Sequence, residues 1–329
     1  MTPAFLDLID LASERLGASV IAANDEFFAP KENLIRSEAP RWREGEYTDR
    51  GKWMDGWETR RRRDAGDDWC IIRLGVPGVV RGVDIETTFF KGNAPESCAI
   101  ETCDAPEGTA LDPLTLATWS EILPRTRLAG DAHHVLEIAG APRATHVRLR
   151  IFPDGGVARL RVYGEVSPDW RALRRRGELD LAAVEHGGFV LACSDMFFGS
   201  RHNLIMPGQA RNMADGWETK RRRGPGHDWT IMKLGAAGTI RRVDVDTRHF
   251  KGNAPGACSL EGCSAEGATV EQLTGSADWR EIVAPTSLQP HTRHTFEDEV
   301  RAIGLITHAR FNIFPDGGVG RLRLFGRLE

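Results

Sequence analysis

Asp55-Gly-Trp-Glu-Thr-Arg-Arg-Arg-Arg63 is written a second time, 160 positions on, as Asp215-Gly-Trp-Glu-Thr-Lys-Arg-Arg-Arg223. Only one residue in nine differs. Working outward, Phe90-Lys-Gly-Asn-Ala-Pro95 returns unchanged as Phe250 to Pro255, and Cys98 and Cys103 return as Cys258 and Cys263, at the same offset. Phe152-Pro-Asp-Gly-Gly-Val157 returns as Phe314 to Val319, offset by 162. Asp25, Phe27, Phe28, Asn33 and Leu34 return as Asp195, Phe197, Phe198, Asn203 and Leu204, offset by 170, so the first copy carries about ten extra residues between Arg41 and Lys52. Copies of this length are too long for a solenoid unit. The 329 residues read as two tandem domains of one fold, 1–166 and 177–329, joined by a charged linker, 167–176, opened by Ser167-Pro168.

Within a copy the hydrophobic period is 2. Val147, Leu149 and Ile151 alternate with Arg148 and Arg150; Val83 and Ile85 alternate with Asp84 and Glu86; Leu160 and Val162 alternate with Arg159, Arg161 and Tyr163. Each pattern is a strand with one dry and one wet face. Turn signals at Val76-Pro-Gly78, Ala105-Pro-Glu-Gly108 and Pro153-Asp-Gly-Gly156 separate them. The expectation is an all-β chain of two tandem jelly-roll β-sandwich domains. Each carries a short N-terminal helix, over Leu6 to Leu16 and Glu178 to Glu185.

Composition excludes several classes. Lys plus Arg is 43 against 47 for Asp plus Glu, a net charge of −4, so no overall basic field exists for nucleic acid or an anionic membrane. No apolar run reaches the roughly 20 residues of a membrane span. The leader carries acids where a secretory signal needs a basic start, which makes the cytoplasm the expected location. Six cysteines are too few for a disulfide scaffold. Cys98 and Cys103 stand an odd number of residues apart, on opposite faces of a continuous strand, and read as core thiols. No HExxH, paired CxxC, EF-hand, phosphate-loop or nucleophile-elbow spacing appears, so no metal site or cofactor is expected, although a divalent metal stays open.

In a sandwich, function concentrates on the loops at one end. Four polar segments recur in both copies. In Asp55 to Arg63 a strand after Asp-Gly would put Trp57, Thr59, Arg61 and Arg63 on one face and Glu58, Arg60 and Arg62 on the other. Either face buries a guanidinium that needs a carboxylate, from a bracing network or from an anionic ligand. Lys91-Gly-Asn-Ala-Pro95 projects a cation suited to a carboxylate and an amide suited to a ureido group, or is simply a well-made turn. Asp154 and Asp316, ahead of Gly-Gly, are either turn residues or placed carboxylates. His134 and His294 occupy matching places and are structural or proton-shuttling. Periodicity and composition alone stop at a tandem sandwich with a polar loop end, which describes a binding module as well as an enzyme.

DGWETRRRR, KGNAP and FPDGGVARLRVYG, each present in two copies and in fixed order, resemble the allantoicase family. The resemblance runs from Ser19–Ile35 to Arg321–Gly326. It implies a pair of jelly rolls similar to galactose-binding domains, and hydrolysis of allantoate to ureidoglycolate and urea in purine (allantoin) breakdown. Allantoate carries a carboxylate and two ureido groups on one carbon. On that reading Arg61 or Arg63 clamps the carboxylate, with Lys91 and Asn93 as further contacts. Asp55, Glu58 or Asp154 acts as base, and His134 or a second carboxylate as acid. Asp215, Glu218, Asp316, His294, Arg221, Arg223, Lys251 and Asn253 are the second-copy equivalents. Direct attack by water and expulsion of urea to an imine followed by hydration both stay open. The expected partner is the small anionic substrate, with no nucleic acid and no membrane, and the family implies a homo-oligomer. The rival reading is a non-catalytic ureide- or carbohydrate-binding tandem β-sandwich. Sequence differences between the copies bear on which one works: Phe89 faces His249, Asp67 faces His227, Arg60 faces Lys220, and only the first copy has Trp42 and Tyr47.

Overall fold

The computed structural model describes residues 3–106, 108–115, 117–275 and 278–329. The chain divides into two compact units, 1–167 and 168–329. In the first unit the alternating segments become antiparallel strands, in the order Ile9–Asp10, Arg159–Val166, Asp68–Glu86, Arg143–Phe152, Ser97–Cys103, Ser120–Arg127. Ser19–Ala23 and His133–Glu137 also pair with the long strand Asp68–Glu86. That 19-residue strand belongs to two layers. Its beginning, Asp68 to Arg73, lies between Ser19–Ala23 and Arg143–Phe152, and its end, Gly82 to Glu86, between His133–Glu137 and Arg159–Val166. A strand that passes from one sheet to the other closes the corner of a sandwich. The inward residues Val83, Ile85, Val147, Leu149, Ile151, Leu160 and Val162 are all fully buried, as their period requires.

The second unit repeats this plan: Leu179–Asp180, Arg321–Leu328, Asp228–Asp246, Ile306–Phe314, Ala257–Cys263 and Arg280–Ser287. Phe189–Cys193 and Arg293–Phe296 lie on its long strand.

Several expectations are corrected. Val76-Pro-Gly78 does not end a strand: the chain runs through it, and pairing with Arg143–Phe152 skips from Arg73 to Gly78. Pro77 sits in that gap, where its missing N–H interrupts no ladder. The helices over Leu6 to Leu16 and Glu178 to Glu185 do not form. The first segment is a 3-10 turn Ala4–Asp7, the edge strand Ile9–Asp10 and a 3-10 turn Glu14–Leu16; the second is strand Leu179–Asp180 and 3-10 turn Val184–His186. Sheet pairing outcompetes the local pattern, because the Asp10 carboxylate accepts the Val162 and Ala12 N–H groups and locks the segment onto Arg159–Val166. The one helix in this region, Trp170–Leu173, lies in the stretch read as linker and is capped by Asp169. Arg159, on the wet face by its period, is only 1 % exposed. It lies under the loop that carries Asp55, whose carboxylate it meets at 3.1 Å.

The four repeated cysteines are buried free thiols. No helix among the described residues is long and apolar enough to cross a membrane.

Candidate active site

Glu58 is the centre of the site in the first unit. Trp57–Glu58 pairs with Gly156–Val157, and Ala29 bridges Glu58 on its other side, so the backbone here is tied to two loops. Trp57 is fully buried and donates its indole N–H to the Asp25 carbonyl at 2.8 Å, which anchors the segment. The Glu58 side chain is 9 % exposed, and its Oε1 accepts the Asn93 amide N–H at 2.7 Å. Burial pushes the carboxyl above its ordinary pKa, while the Asn93 hydrogen bond pulls the other way.

Asn93 is delivered by the KGNAP turn. That turn stands on Phe90, fully buried, whose ring lies where a Cβ on Gly156 would come within 2.0 Å. Only glycine fits at Gly156, which explains the second glycine of the repeated Pro-Asp-Gly-Gly. Phe89, at φ 71°, lies in the left-handed region that a bulky side chain rarely adopts. It is held there because the Asp131 carboxylate accepts its N–H at 2.8 Å.

Glu58 and Asn93 line a cleft of about 630 Å³, with Phe28, Met54 and Phe89 as apolar wall. Lys91 is 79 % exposed, with its ammonium 3.8 Å from Asp131. The ten-residue insertion supplies the opposite side. It folds as the hairpin Tyr47–Thr48 and Gly51–Lys52, and brings Trp42 to 5.6 Å from the Phe89 ring, with the Lys52 ammonium 3.9 Å over Trp42. The cleft therefore holds one buried carboxyl, one amide, aromatic faces and two ammonium groups. That set can bind a small anion and move a proton beside it.

The other predicted residues lie elsewhere. Asp55 is buried against Arg159 and accepts the Arg41 N–H at 2.9 Å; it braces the loop. Asp154 accepts the Arg62 N–H at 2.9 Å and fixes the turn. His134 accepts the Ala129 N–H on Nε2 at 2.8 Å, so Nδ1 carries the proton and donates to the Ile85 carbonyl at 2.9 Å. Both of its ring nitrogens are engaged in backbone bonds, and it does not line the cleft. Arg61 and Arg63 are not buried by a strand and do not line the cleft. The strand expected through Arg63 stops at Glu58, so the arginines leave the sheet instead of being buried by it. Sequence reasoning missed Lys52, Phe28 and Met54; the only signal for Lys52 was its place at the end of the insertion.

In the second unit the Glu218 carboxylate accepts the Asn253 N–H at 2.6 Å, and Lys251 follows the same turn. Asp215 pairs with Arg321 at 3.1 Å, Asp316 accepts the Arg222 N–H, and His294 accepts the Gln289 N–H, as in the first unit. Arg221 and Arg223 again lie beyond the strand, which stops at Glu218. The walls differ. His249 replaces Phe89 and donates from Nε2 to the Ala210 carbonyl at 2.9 Å, Asn212 stands in the place of Lys52, and no residue corresponds to Trp42. Among the described residues no group of three or more His, Cys, Asp or Glu is placed to hold a metal ion.

The allantoicase repeat family model matches residues 9–167 and again 179–329. A protein of Pseudomonas aeruginosa (strain UCBPP-PA14) named "Probable allantoicase" is 51 % identical over 98 % of this chain and 96 % of its own length. One of the same name from Photobacterium profundum is 50 % identical over 98 % of this chain and 97 % of its own. Among solved structures, allantoicase from Saccharomyces cerevisiae superposes with a TM-score of 0.80 at 36 % identity, covering 97 % of this chain and 92 % of that one. With both copies matched and the relatives aligned nearly end to end, the chain belongs to the allantoicase family.

Proposed function

We propose that this allantoicase-family hydrolase cleaves allantoate to ureidoglycolate and urea at the Glu58 cleft of its first unit. The observation that carries the reading is a buried carboxyl, held by an amide on one oxygen, in a cleft flanked by two ammonium groups and aromatic faces. Lys91 and Lys52 draw the substrate carboxylate. Trp42 and Phe89 offer flat faces to the planar ureido groups.

Burial favours the protonated form of Glu58, so the group is suited to give its proton to the departing urea nitrogen as the C–N bond breaks. The carboxylate left behind takes a proton from water while the hydroxyl joins the carbon. One carboxyl thus serves as acid and then as base, and ends as it began. This balance holds whether water attacks directly or adds, after urea has left, to the protonated imine, whose nitrogen keeps its hydrogen throughout. No cofactor is called on in this sequence of steps; measuring urea release with and without a chelator tests that. The reading extends to a homo-oligomer acting in the cytoplasm, to be checked by sedimentation of the purified chain and by cell fractionation.

Glu58→Gln keeps the size and the Asn93 contact but removes the proton. It should lower kcat for urea release by about 100-fold or more, roughly 2.7 kcal/mol of barrier. A loss under about tenfold, roughly 1.4 kcal/mol, would remove Glu58 from the chemistry.

A further inference from the structure

A second cavity, of about 370 Å³, lies in the second unit, between the end of the helix Trp170–Leu173 and the strand Arg321–Leu328. Arg174, Arg176 and Arg327 line it, with Leu173 and Leu328 as apolar wall. All three arginines are exposed, so their guanidinium groups are within reach of a solute. Among the described residues none of the three makes an ion pair or a side-chain hydrogen bond. The neighbouring acids are engaged elsewhere. Asp169 caps the helix by accepting the Arg171 and Ala172 N–H groups at 2.9 and 3.1 Å, and Glu178 pairs with Arg242 at 3.2 Å. Among the described residues the one acid on the rim is Glu329, which is exposed. The backbone that carries the arginine run is fixed. The Arg174 and Arg176 N–H groups donate to the Trp170 and Leu173 carbonyls at 3.0 and 2.9 Å, Leu173 is buried, and the Trp170 ring lies where a Cβ on Gly235 would come within 3.2 Å of it.

The first unit shows that the fold does not require these cations. Counting from the matching strands Ile9–Asp10 and Leu179–Asp180, Ala4 and Leu6 stand in the places of Arg174 and Arg176. Glu165 stands in the place of Arg327 and pairs with Arg81 at 3.0 Å. Arg241 keeps the place of Arg81, so an acid–guanidinium pair in one copy has become two guanidinium groups in the other. Arg174 and Arg176 add one positive charge each and the reversal at Arg327 adds two, in a chain whose net charge is −4. A helix C-terminus favours cations, but Arg327 and Arg241 lie on strands. Like charges gathered without a counter-charge repel, and an anion bound among them relieves the repulsion.

We propose that the second unit binds a phosphate group in this cavity, free or borne by a small organic molecule, through the guanidinium groups of Arg174, Arg176 and Arg327. A guanidinium presents paired N–H donors that match two oxygens of a phosphate. Three such groups suit a doubly charged tetrahedral anion better than a singly charged carboxylate. Leu173 and Leu328 offer a surface to the carbon skeleton of an ester.

The test is calorimetric titration of the full chain, in low salt without phosphate buffer, with phenyl phosphate, inorganic phosphate and acetate. The tighter of the two phosphates should bind at least about tenfold better than acetate, roughly 1.4 kcal/mol. Phenyl phosphate in the lead assigns the site to an ester, inorganic phosphate in the lead to the free ion. Arg174→Ala, Arg176→Leu and Arg327→Glu, which install the first unit's residues, should each weaken that probe about tenfold, and Glu329→Gln should tighten it. All four variants should keep the parent's circular dichroism spectrum and release urea from allantoate within about threefold of its rate, since these residues lie outside the Glu58 cleft. Acetate binding as tightly as both phosphates, affinity unchanged in all three arginine variants, or affinity weakened by Glu329→Gln overturns the proposal. So does absence of binding at about 10 mM of either phosphate, a free energy weaker than roughly 3 kcal/mol.

Discussion

At the scale of single residues, two carboxylates of one motif meet different partners. Glu58 has an amide for a partner and Asp55 a guanidinium. An amide leaves a buried carboxyl free to hold its proton, whereas a guanidinium engages it in an ion pair. Asn93 lowers the pKa that burial raises, so Asn93→Ala should lift it further. If the step needs protonated Glu58, activity falls as pH rises through that pKa. The alkaline limb of kcat against pH should therefore move to higher pH in Asn93→Ala, and an unmoved or acid-shifted limb would contradict the assignment. Asp55→Ala leaves Arg159 buried and without its carboxylate, and should cost about 3–5 kcal/mol of stability in denaturant titration. The sequence singled out Asp55, Glu58 and Asn93 together. It could not sort them, because the sorting depends on Arg159, 104 positions along the chain from Asp55.

At the scale of elements, the insertion between Arg41 and Lys52 is the largest difference between the copies, and the structure gives it work. Its hairpin brings Trp42 and Lys52 to a cleft otherwise built from the repeated loops. Lys52 lies over an indole face instead of pairing with a carboxylate, so its charge is available to an anion. Lys52→Ala should raise KM for allantoate about three- to tenfold with little change in kcat, since a cation that greets the carboxylate binds ground state and transition state alike. A fall in kcat with KM unchanged would instead place Lys52 in the chemical step. The strands were legible from their period of 2. The leader segments were not: their apolar spacing suits a helix locally, but an edge strand along Arg159–Val166 satisfies the backbone better.

At the scale of the whole molecule, duplication has produced two units with one framework and different contents. The Glu–Asn pair occurs in both, whereas Phe89, Trp42 and Lys52 occur in the first. Turnover should accordingly follow one unit: Glu218→Gln should keep urea release within about threefold, less than about 1 kcal/mol, while Glu58→Gln abolishes most of it. Equal losses in both variants would mean that both copies contribute. The sequence by itself determined the duplication, the all-β class and the family, because repeats, a two-residue period and long ordered motifs are properties of the chain read in line. Only the tertiary structure decided which charged side chains brace the sandwich and which face a cleft. Asp55 and Glu58 stand three positions apart in one motif, yet meet partners 104 and 35 positions away. A carboxylate's role follows from its desolvation and its neighbour in space, and those exist only once the strands have packed.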